Sequence, residues 1–298
     1  MKQIGFIGLG RMGFAMSERL LKHKYNVVAY NRSPDKTKNL AKKGATPTFS
    51  YDELLKKLPK KKIVWLMLPS GKPTNNAIKK LINLMDKRDI IIDGANDFYK
   101  NAEEHSKLCE KKGIYFFDCG VSGGTHGLKN GYTLMIGGPK DQFKHIEPFC
   151  KALSPKRGYG YFGPNGSGHY VKSVHNIIEY VYLQGLAEGV ELLDKKSPKI
   201  DIKKAIKVWQ PSSVIKSWLL DLTNTALNRK DFNKIKPDIG SVTIEELLQT
   251  KKSMKGYTPA FDTAVKIRKD KNKKRFALGK RTIAAVRNEF GGHKVKKQ

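Results

Sequence analysis

The sequence predicts an α/β protein: a doubly wound, mostly parallel sheet followed by an all-α domain. Three observations carry this. A glycine-rich loop joins a strand pattern to a helix pattern at the amino end. Short apolar runs then alternate with amphipathic stretches as far as Ala152, the signature of strands crossing over through helices. From Gly168 onward the strand signal nearly vanishes and helical spacing takes over. The expected division is residues 1–163 and 164–298.

At 298 residues the chain suits two modest domains, each able to bury a core. A hydrophobic content of 39% with mixed patterns reads as globular. No apolar run approaches a membrane span, and a strand pattern from Gln3 to Gly8 starts almost at Met1, so a cytoplasmic protein without a targeting presequence is expected. Cys109, Cys119 and Cys150 are odd in number and lack metal spacing. They read as reduced thiols, and no metal site is expected. The net charge of +31 points by reflex to nucleic acid. The lysines, however, spread along the whole chain with no long basic tail. They read first as composition, then as steering of small anions, and only third as a nucleic-acid surface.

The first element is a strand over residues 3–8, followed by Gly8-Leu9-Gly10-Arg11-Met12-Gly13 and a helix to about Leu21. This is G-x-G-x-x-G in strand–turn–helix context. The first glycine permits the tight turn, the second lets backbone approach a pyrophosphate, and the third allows close helix packing. Residues 1–163 are therefore expected to form a Rossmann-like dinucleotide-binding domain. The second strand, Asn26 to Tyr30, ends in Asn31-Arg32-Ser33. No acidic residue is present there for a ribose 2′-hydroxyl, and Arg32 with Ser33 suits a 2′-phosphate. NADP is expected, with NAD the second choice.

Further strands are expected at Lys62–Leu68, Ile90–Asp93, Ile114–Asp118 and Tyr132–Ile136, with helices at 74–84, 101–112 and 140–152. Ligands of such sheets bind at the carboxyl ends of strands. The candidate lining is Leu68-Pro69-Ser70, Gly94-Ala95-Asn96 and Gly120-Val121-Ser122-Gly123-Gly124. Residues 158–168, rich in glycine and aromatics, read as the exit from the sheet. Helical patterns then cover 169–195, 199–209, 213–227, 243–250 and 276–290, with an irregular connection at 231–240. The cleft between the two domains is the expected site.

One helix concentrates the chemistry. Lys172, His175, Asn176, Glu179 and Tyr180 stand at i, i+3, i+4, i+7 and i+8, one face of a helix. Farther along, the same face turns apolar at Leu183, Leu186 and Val190, which a solvated face would not do. Val174, Ile177, Ile178 and Val181 mark the opposite side as packed, and Gly185 and Gly189 would admit another backbone. Lys172 and Glu179 are a rise of roughly 10 Å apart, so both could reach one small substrate.

These motifs together resemble 6-phosphogluconate dehydrogenase, in the short-chain form of that family. The resemblance rests on the GLGRMG loop, NRS, the GAN turn with Asn96, GVSGG, GHYVKSVHNIIEY, SSVIKSWLLDL and RNEFGGH. It implies oxidative decarboxylation of 6-phosphogluconate to ribulose 5-phosphate in the pentose phosphate pathway, with NADP or NAD reduced. It implies Lys172 as general base and Glu179 as the acid that protonates C1. It implies substrate contacts from Asn96, Ser122, Gly123, Gly124, His175, Asn176 and Tyr180. Arg287 and His293 would hold the phosphate from a neighbouring subunit, in a homodimer or homotetramer with shared sites. Two departures stand out. Asp97 replaces the family's usual serine after the asparagine. The segment DSGEGRW is missing, and Lys236 to Val242 stands in its place. The resemblance also matches Arg268 to a further phosphate ligand, within the very basic stretch KIRKDKNKK. Two alternatives stay open: another β-hydroxyacid dehydrogenase acting on a smaller acid without phosphate, and a non-catalytic nucleic-acid-binding protein.

Overall fold

The computed structural model describes residues 2–240 and 244–297. Ser241 and Val242 of the replaced stretch, and Thr243 at an expected helix start, lie outside the described residues. Two compact units divide at Ser173/Val174.

The first unit holds β1 (Gln3–Ile7), α1 (Arg11–Lys22), β2 (Asn26–Tyr30), α2 (Pro34–Ala41), β3 (Thr46–Thr48), α3 (Tyr51–Lys56), β4 (Ile63–Leu66) and α4 (Lys72–Leu84). It continues with β5 (Ile90–Asp93), α5 (Tyr99–Glu110), β6 (Tyr115–Ser122), α6 (Gly127–Asn130), β7 (Thr133–Gly137), α7 (Phe143–Leu153) and β8 (Tyr159–Gly163). The strands form one sheet in the order β3-β2-β1-β4-β5-β6-β7-β8. Every neighbouring pair is parallel except β6 with β7. The doubly wound, mostly parallel sheet is therefore present, and its order reverses beside β1, where such sheets bind dinucleotides.

Both faces are covered, so the strands are apolar on both sides. Phe6, Val27, Trp65 and Ile92 join one buried cluster. Ile7, Val28, Val64, Leu66 and Ile91 alternate into another. Two strands and three short helices of this unit, α2, α3 and α6, went unpredicted. β3 has only three residues, and β8, expected as an exit loop, pairs in parallel with β7. α2 starts at Pro34, and α3 is capped by Ser50, whose hydroxyl accepts from Glu53 N at 3.0 Å. All three cysteines are free and buried, and burial pushes the Cys109 thiol up to about 12.

α8 (Ser167–Lys195) starts in the first unit and continues unbroken into the second, so no linker marks the division. The expected boundary at 163/164 coincides instead with the end of β8. The second unit adds α9 (Ile202–Trp209), α10 (Trp218–Leu227), α11 (Ile244–Ser253), α12 (Pro259–Lys269) and α13 (Ala277–Gly291). It is all-helical, as the sequence predicts. Leu183 and Val190 of α8 bury against Ile206, Leu220, Ala226, Ala285 and Val286. α10 begins later than the expected 213. Ser217 caps it by accepting from Leu220 N at 3.1 Å, and Val214 before it is fully exposed. Among the described residues no helix is long and apolar enough to cross a membrane, and no group of His, Cys, Asp and Glu is arranged to hold a metal.

Candidate active site

The three glycines of the first loop have three separate surroundings. Gly8 adopts φ +95°, and a Cβ there would lie 2.5 Å from Met67 O. A Cβ on Gly13 would lie 2.0 Å from Gly8 O, so α1 can start here only on glycine. Gly10 faces open space. The N-cap residue Gly10 offers α1 no side-chain cap and its first turn holds no acid, which leaves amides and the positive helix end for an anion. Asn31 steadies the loop. Its Oδ1 accepts from Leu9 N at 2.8 Å, and its Nδ2 donates to Ser33 O at 3.2 Å. Arg11, Arg32 and Ser33 are exposed, while Met12 packs partly on the core. These residues fit a dinucleotide: the backbone is open at Gly10, and the cation stands at the end of β2.

The loop after β4 carries Leu68, Pro69 and Ser70, and Thr74 Oγ1 fastens it by donating to Pro69 O at 2.8 Å. Asn96 is half-buried in the turn after β5. Beside it, Asp97 Oδ1 accepts from Phe98 N at 2.8 Å and Asn101 Nδ2 at 3.0 Å, which fastens the start of α5. The replacement at Asp97 therefore keeps a helix-start function. Ser122 ends β6 and Gly123 and Gly124 form the turn after it, all three half-buried. Gly123 takes φ +134° beside Tyr132. Lys172 is half-buried on α8, and its stem presses on Gly120, where a Cβ would lie 2.4 Å from Lys172 Cβ. Gly120 is thus what lets Lys172 stand so close to β6.

In the second unit His175, Asn176 and Glu179 are half-buried and Tyr180 is buried. His175 Nδ1 lies 3.1 Å from Asn176 Oδ1. The Arg268 guanidinium lies 3.9 Å from the centroid of the Tyr180 ring. Its Nη1 donates to Ala264 O at 3.2 Å, while Nε and Nη2 are shielded and meet no partner among the described residues. Arg287, 4% exposed, donates through Nη1 to Ile239 O. Burial pulls the Arg268 guanidinium down to about 10; Arg287 adds to this, while Tyr180 and Glu179 oppose it. Burial likewise lowers Arg287, against Tyr180 and Glu179. Burial raises the Tyr180 phenol, which both arginines pull back. Arginine does not give up its proton in such a setting, so the two cations are held at a cost that an anion would relieve.

A sequence model of the NAD binding domain of 6-phosphogluconate dehydrogenase matches residues 3–163, and one of the 6-phosphogluconate dehydrogenase C-terminal domain matches residues 168–256. The chain belongs to the 6-phosphogluconate dehydrogenase family. It is 32% identical to the putative 6-phosphogluconate dehydrogenase YqeC of Bacillus subtilis, over 99% of this chain and 100% of that protein. It is 34% identical to the NAD(+)-dependent decarboxylating 6-phosphogluconate dehydrogenase of Haloferax volcanii, over 83% of this chain and 84% of that one. The solved 6-phosphogluconate dehydrogenase of Plasmodium falciparum superposes with a TM-score of 0.82 at 27% identity. It takes in 97% of this chain but 64% of its own, so the chain spans under two thirds of that relative. The protein is an NAD(P)-dependent oxidoreductase of this family.

Several expectations for this 6-phosphogluconate dehydrogenase family member need correction. The side of α8 expected to be packed is covered only in part: Ile177 and Val181 pack against the cluster of Tyr180 and Phe261, while Val174 is 37% and Ile178 61% exposed. Ile177, Ile178, Val181 and Tyr182 instead line an apolar groove of about 290 Å³ with Thr258, Pro259, Ala260 and Phe261. Among the described residues nothing approaches Gly185 or Gly189 within 4 Å of a Cβ position. Arg287, expected to serve a neighbouring subunit, is buried in the single chain, where it meets Ile239 O. His293 folds back on the end of α13, its ring 6.2 Å from Phe290 and its carbonyl accepting from Asn288 Nδ2 at 2.7 Å. Residues 236–240, in the replaced segment, form a loop clamped by the carboxy-terminal tail, which meets Ile235 through an isolated bridge at Lys297. Lys236 N donates to Lys296 O at 2.8 Å, and Lys296 Nζ pairs with Asp238 at 2.7 Å. α12, which carries Arg268, went unpredicted, because the basic stretch after it masks the helix pattern. The apolar spacing of Phe261, Ala264 and Val265 was the available signal.

Proposed function

We propose that the protein catalyses the oxidative decarboxylation of 6-phosphogluconate to ribulose 5-phosphate. The observation that carries this reading is the arginine pair at Tyr180. Two enclosed guanidiniums, one with two unmet N–H groups, call for a multiply charged, fork-matching anion such as a phosphate. His293 stands at the end of the helix that carries Arg287. A smaller acid without phosphate would leave these donors unmet, which disfavours the alternative substrate.

The cofactor, when bound, supplies the acceptor for the hydride. Gly8, Leu9, Gly10, Arg11, Met12 and Gly13 would hold its pyrophosphate, with Asn31, Arg32 and Ser33 at the ribose and Leu68, Pro69, Ser70 and Asn96 farther along. Arg32, with no acid beside it, favours NADP over NAD. Lys172, neutral, takes the proton of the C3 hydroxyl as the C3 hydrogen departs with its electron pair. The 3-keto acid then loses carbon dioxide because the ketone accepts the electrons of the breaking C1–C2 bond. Glu179 donates a proton to C1 of the enediol. Asn96, Ser122, Gly123, Gly124, His175, Asn176 and Tyr180 orient the sugar acid.

The uncovered groove beside α8 supports a homo-oligomer, since an apolar face of this kind is stabilised by burial against another copy. In this reading residues 1–163 hold the cofactor, residues 164–298 hold substrate and the oligomer contact, and the enzyme serves the pentose phosphate pathway in the cytoplasm. The test is NADPH formation from 6-phosphogluconate with stoichiometric release of carbon dioxide. Lys172→Met should abolish turnover and retain cofactor binding. Absence of turnover with either nicotinamide cofactor would overturn the reading.

A further inference from the structure

The turn that carries Asn96 sits on a buried polar cluster that none of the steps above uses. β5 ends at Asp93, which is 1% exposed. Its Oδ1 accepts from Ala95 N at 3.0 Å, and its Oδ2 meets no partner among the described residues. The Asp93 backbone carbonyl faces His169 Nε2 at 3.2 Å. A carbonyl can only accept, so Nε2 carries the hydrogen. The other ring nitrogen, Nδ1, is buried without a partner among the described residues. One hydrogen bond therefore ties the His169 ring to the end of β5.

The backbone of His169 is fixed independently. Its N–H donates to Asp118 Oδ2 at 2.8 Å, and Gly166 N–H donates to Asp118 Oδ1 at 2.7 Å. A buried carboxylate of β6 thus holds the first turn of α8. Gly168 allows that turn to touch the sheet, since a Cβ there would lie 2.4 Å from Met135 O. His169 precedes Lys172 by three residues, so the two side chains share one side of the helix. The Lys172 stem rests on Gly120 of β6. Asp118 and Gly120 set the helix against β6, and the His169 ring extends the same anchorage to β5.

We propose that His169 is a positioning residue whose bond to the Asp93 carbonyl sets the Gly94–Asn96 turn in register with Lys172. The bond lies immediately before the turn on one side and one helical turn before Lys172 on the other. Losing it frees the turn at its root while Asp118 continues to hold the helix. The inference rests on the reading of Lys172 as base and Asn96 as a ligand contact. It also makes a structural claim that stands without turnover.

The test compares His169→Phe, which keeps a ring and loses the donor, with His169→Gln, whose amide reaches about as far as Nε2. The expected result for the Phe variant is a kcat lowered about 10- to 100-fold, as for a misplaced reacting group, with KM for cofactor within about threefold by the same reasoning. The Gln variant should recover most of that loss. Amide hydrogen exchange at residues 94–97 should quicken in the Phe variant and return toward the wild-type rate in the Gln variant. If the Phe variant does not fold, His169→Asn, too short to reach the carbonyl, takes its place against Gln. Equal rates and equal exchange in the paired variants would overturn the proposal. If the wild-type protein fails to turn over 6-phosphogluconate, the functional reading falls. Unchanged protection at 94–97 in the donor-less variant would then separately overturn the positioning role.

Discussion

Arg268 and Tyr180 stack with the guanidinium carbon 3.9 Å from the ring centroid, and two of the arginine nitrogens have no partner among the described residues. The ring holds the planar fork in place beforehand, so little side-chain freedom is lost when an anion arrives. Arg268→Ala should therefore raise KM for 6-phosphogluconate by about 10- to 100-fold, the range for charge-assisted hydrogen bonds. KM for the nicotinamide cofactor should stay unchanged. Steady-state kinetics with each substrate varied in turn would check both values.

Arg32 stands exposed at the end of β2 with no carboxylate beside it in the Asn31-Arg32-Ser33 turn. Arg32→Asp replaces a 2′-phosphate partner with a group suited to a free ribose hydroxyl. KM for NADP should rise by about tenfold or more, while KM for NAD should stay level or fall. Parallel titrations of the two cofactors would show the crossing. A proportional change in both would mean that Arg32 does not read the ribose.

Asp93 gives a pH-dependent prediction. Burial pushes its carboxyl up to about 6 from the ordinary 3.8. Below 3.8 both folded and unfolded chains hold the proton. Between 3.8 and about 6 the folded chain holds a proton that the unfolded chain lacks. Asp93 thus supports the fold at low pH, and that support is lost as pH rises through about 6. Asp93→Asn keeps an acceptor for Ala95 N and never ionises. Its stability advantage over wild type, read from Tm, should grow between about pH 4 and pH 6 and level off above, with a ceiling of about 3 kcal/mol for a shift of about two units. A difference in Tm that does not change with pH would refute this.

Asp97 can be tested as a helix-start residue. Asp97→Ala removes the acceptor of Phe98 N and Asn101 Nδ2. It should cost about 1 kcal/mol, the usual net value of a protein hydrogen bond. Asp97→Ser should cost less. Denaturant unfolding of the three proteins would rank them.

The sequence makes some parts of this molecule easy to read and hides others for physical reasons. The G-x-G-x-x-G loop is legible because each glycine answers a separate steric demand, seen at Gly8, Gly10 and Gly13. The polar face of α8 is legible because its apolar continuation, Leu183 and Val190, is buried within the chain. The other side of the same helix misleads, since Ile178 is apolar yet exposed, and hydrophobicity alone does not name the surface that covers it. β8 is hidden because YGYFG has the composition of a loop, and its pairing with β7 comes from tertiary context. Asp118 and His169 are invisible at sequence level: one lies in a strand pattern and the other at a helix start, and only the folded chain joins them. Arg268 is lost among neighbouring lysines whose charge resembles its own.

α8 runs without a break past Lys172 and Glu179. One residue inserted between them would turn everything downstream by about 100° and advance it by about 1.5 Å. Glu179 and Tyr180 would swing off the face that Lys172 occupies, while Leu183 and Val190 would leave their buried seats. No compensating loop lies inside the helix to absorb the error. Insertions and deletions should thus be absent between positions 167 and 195 and gather instead around residues 196–201, where the chain is exposed between helices. Side chains along this stretch can be exchanged one at a time, but its length is a dimension of the catalyst itself.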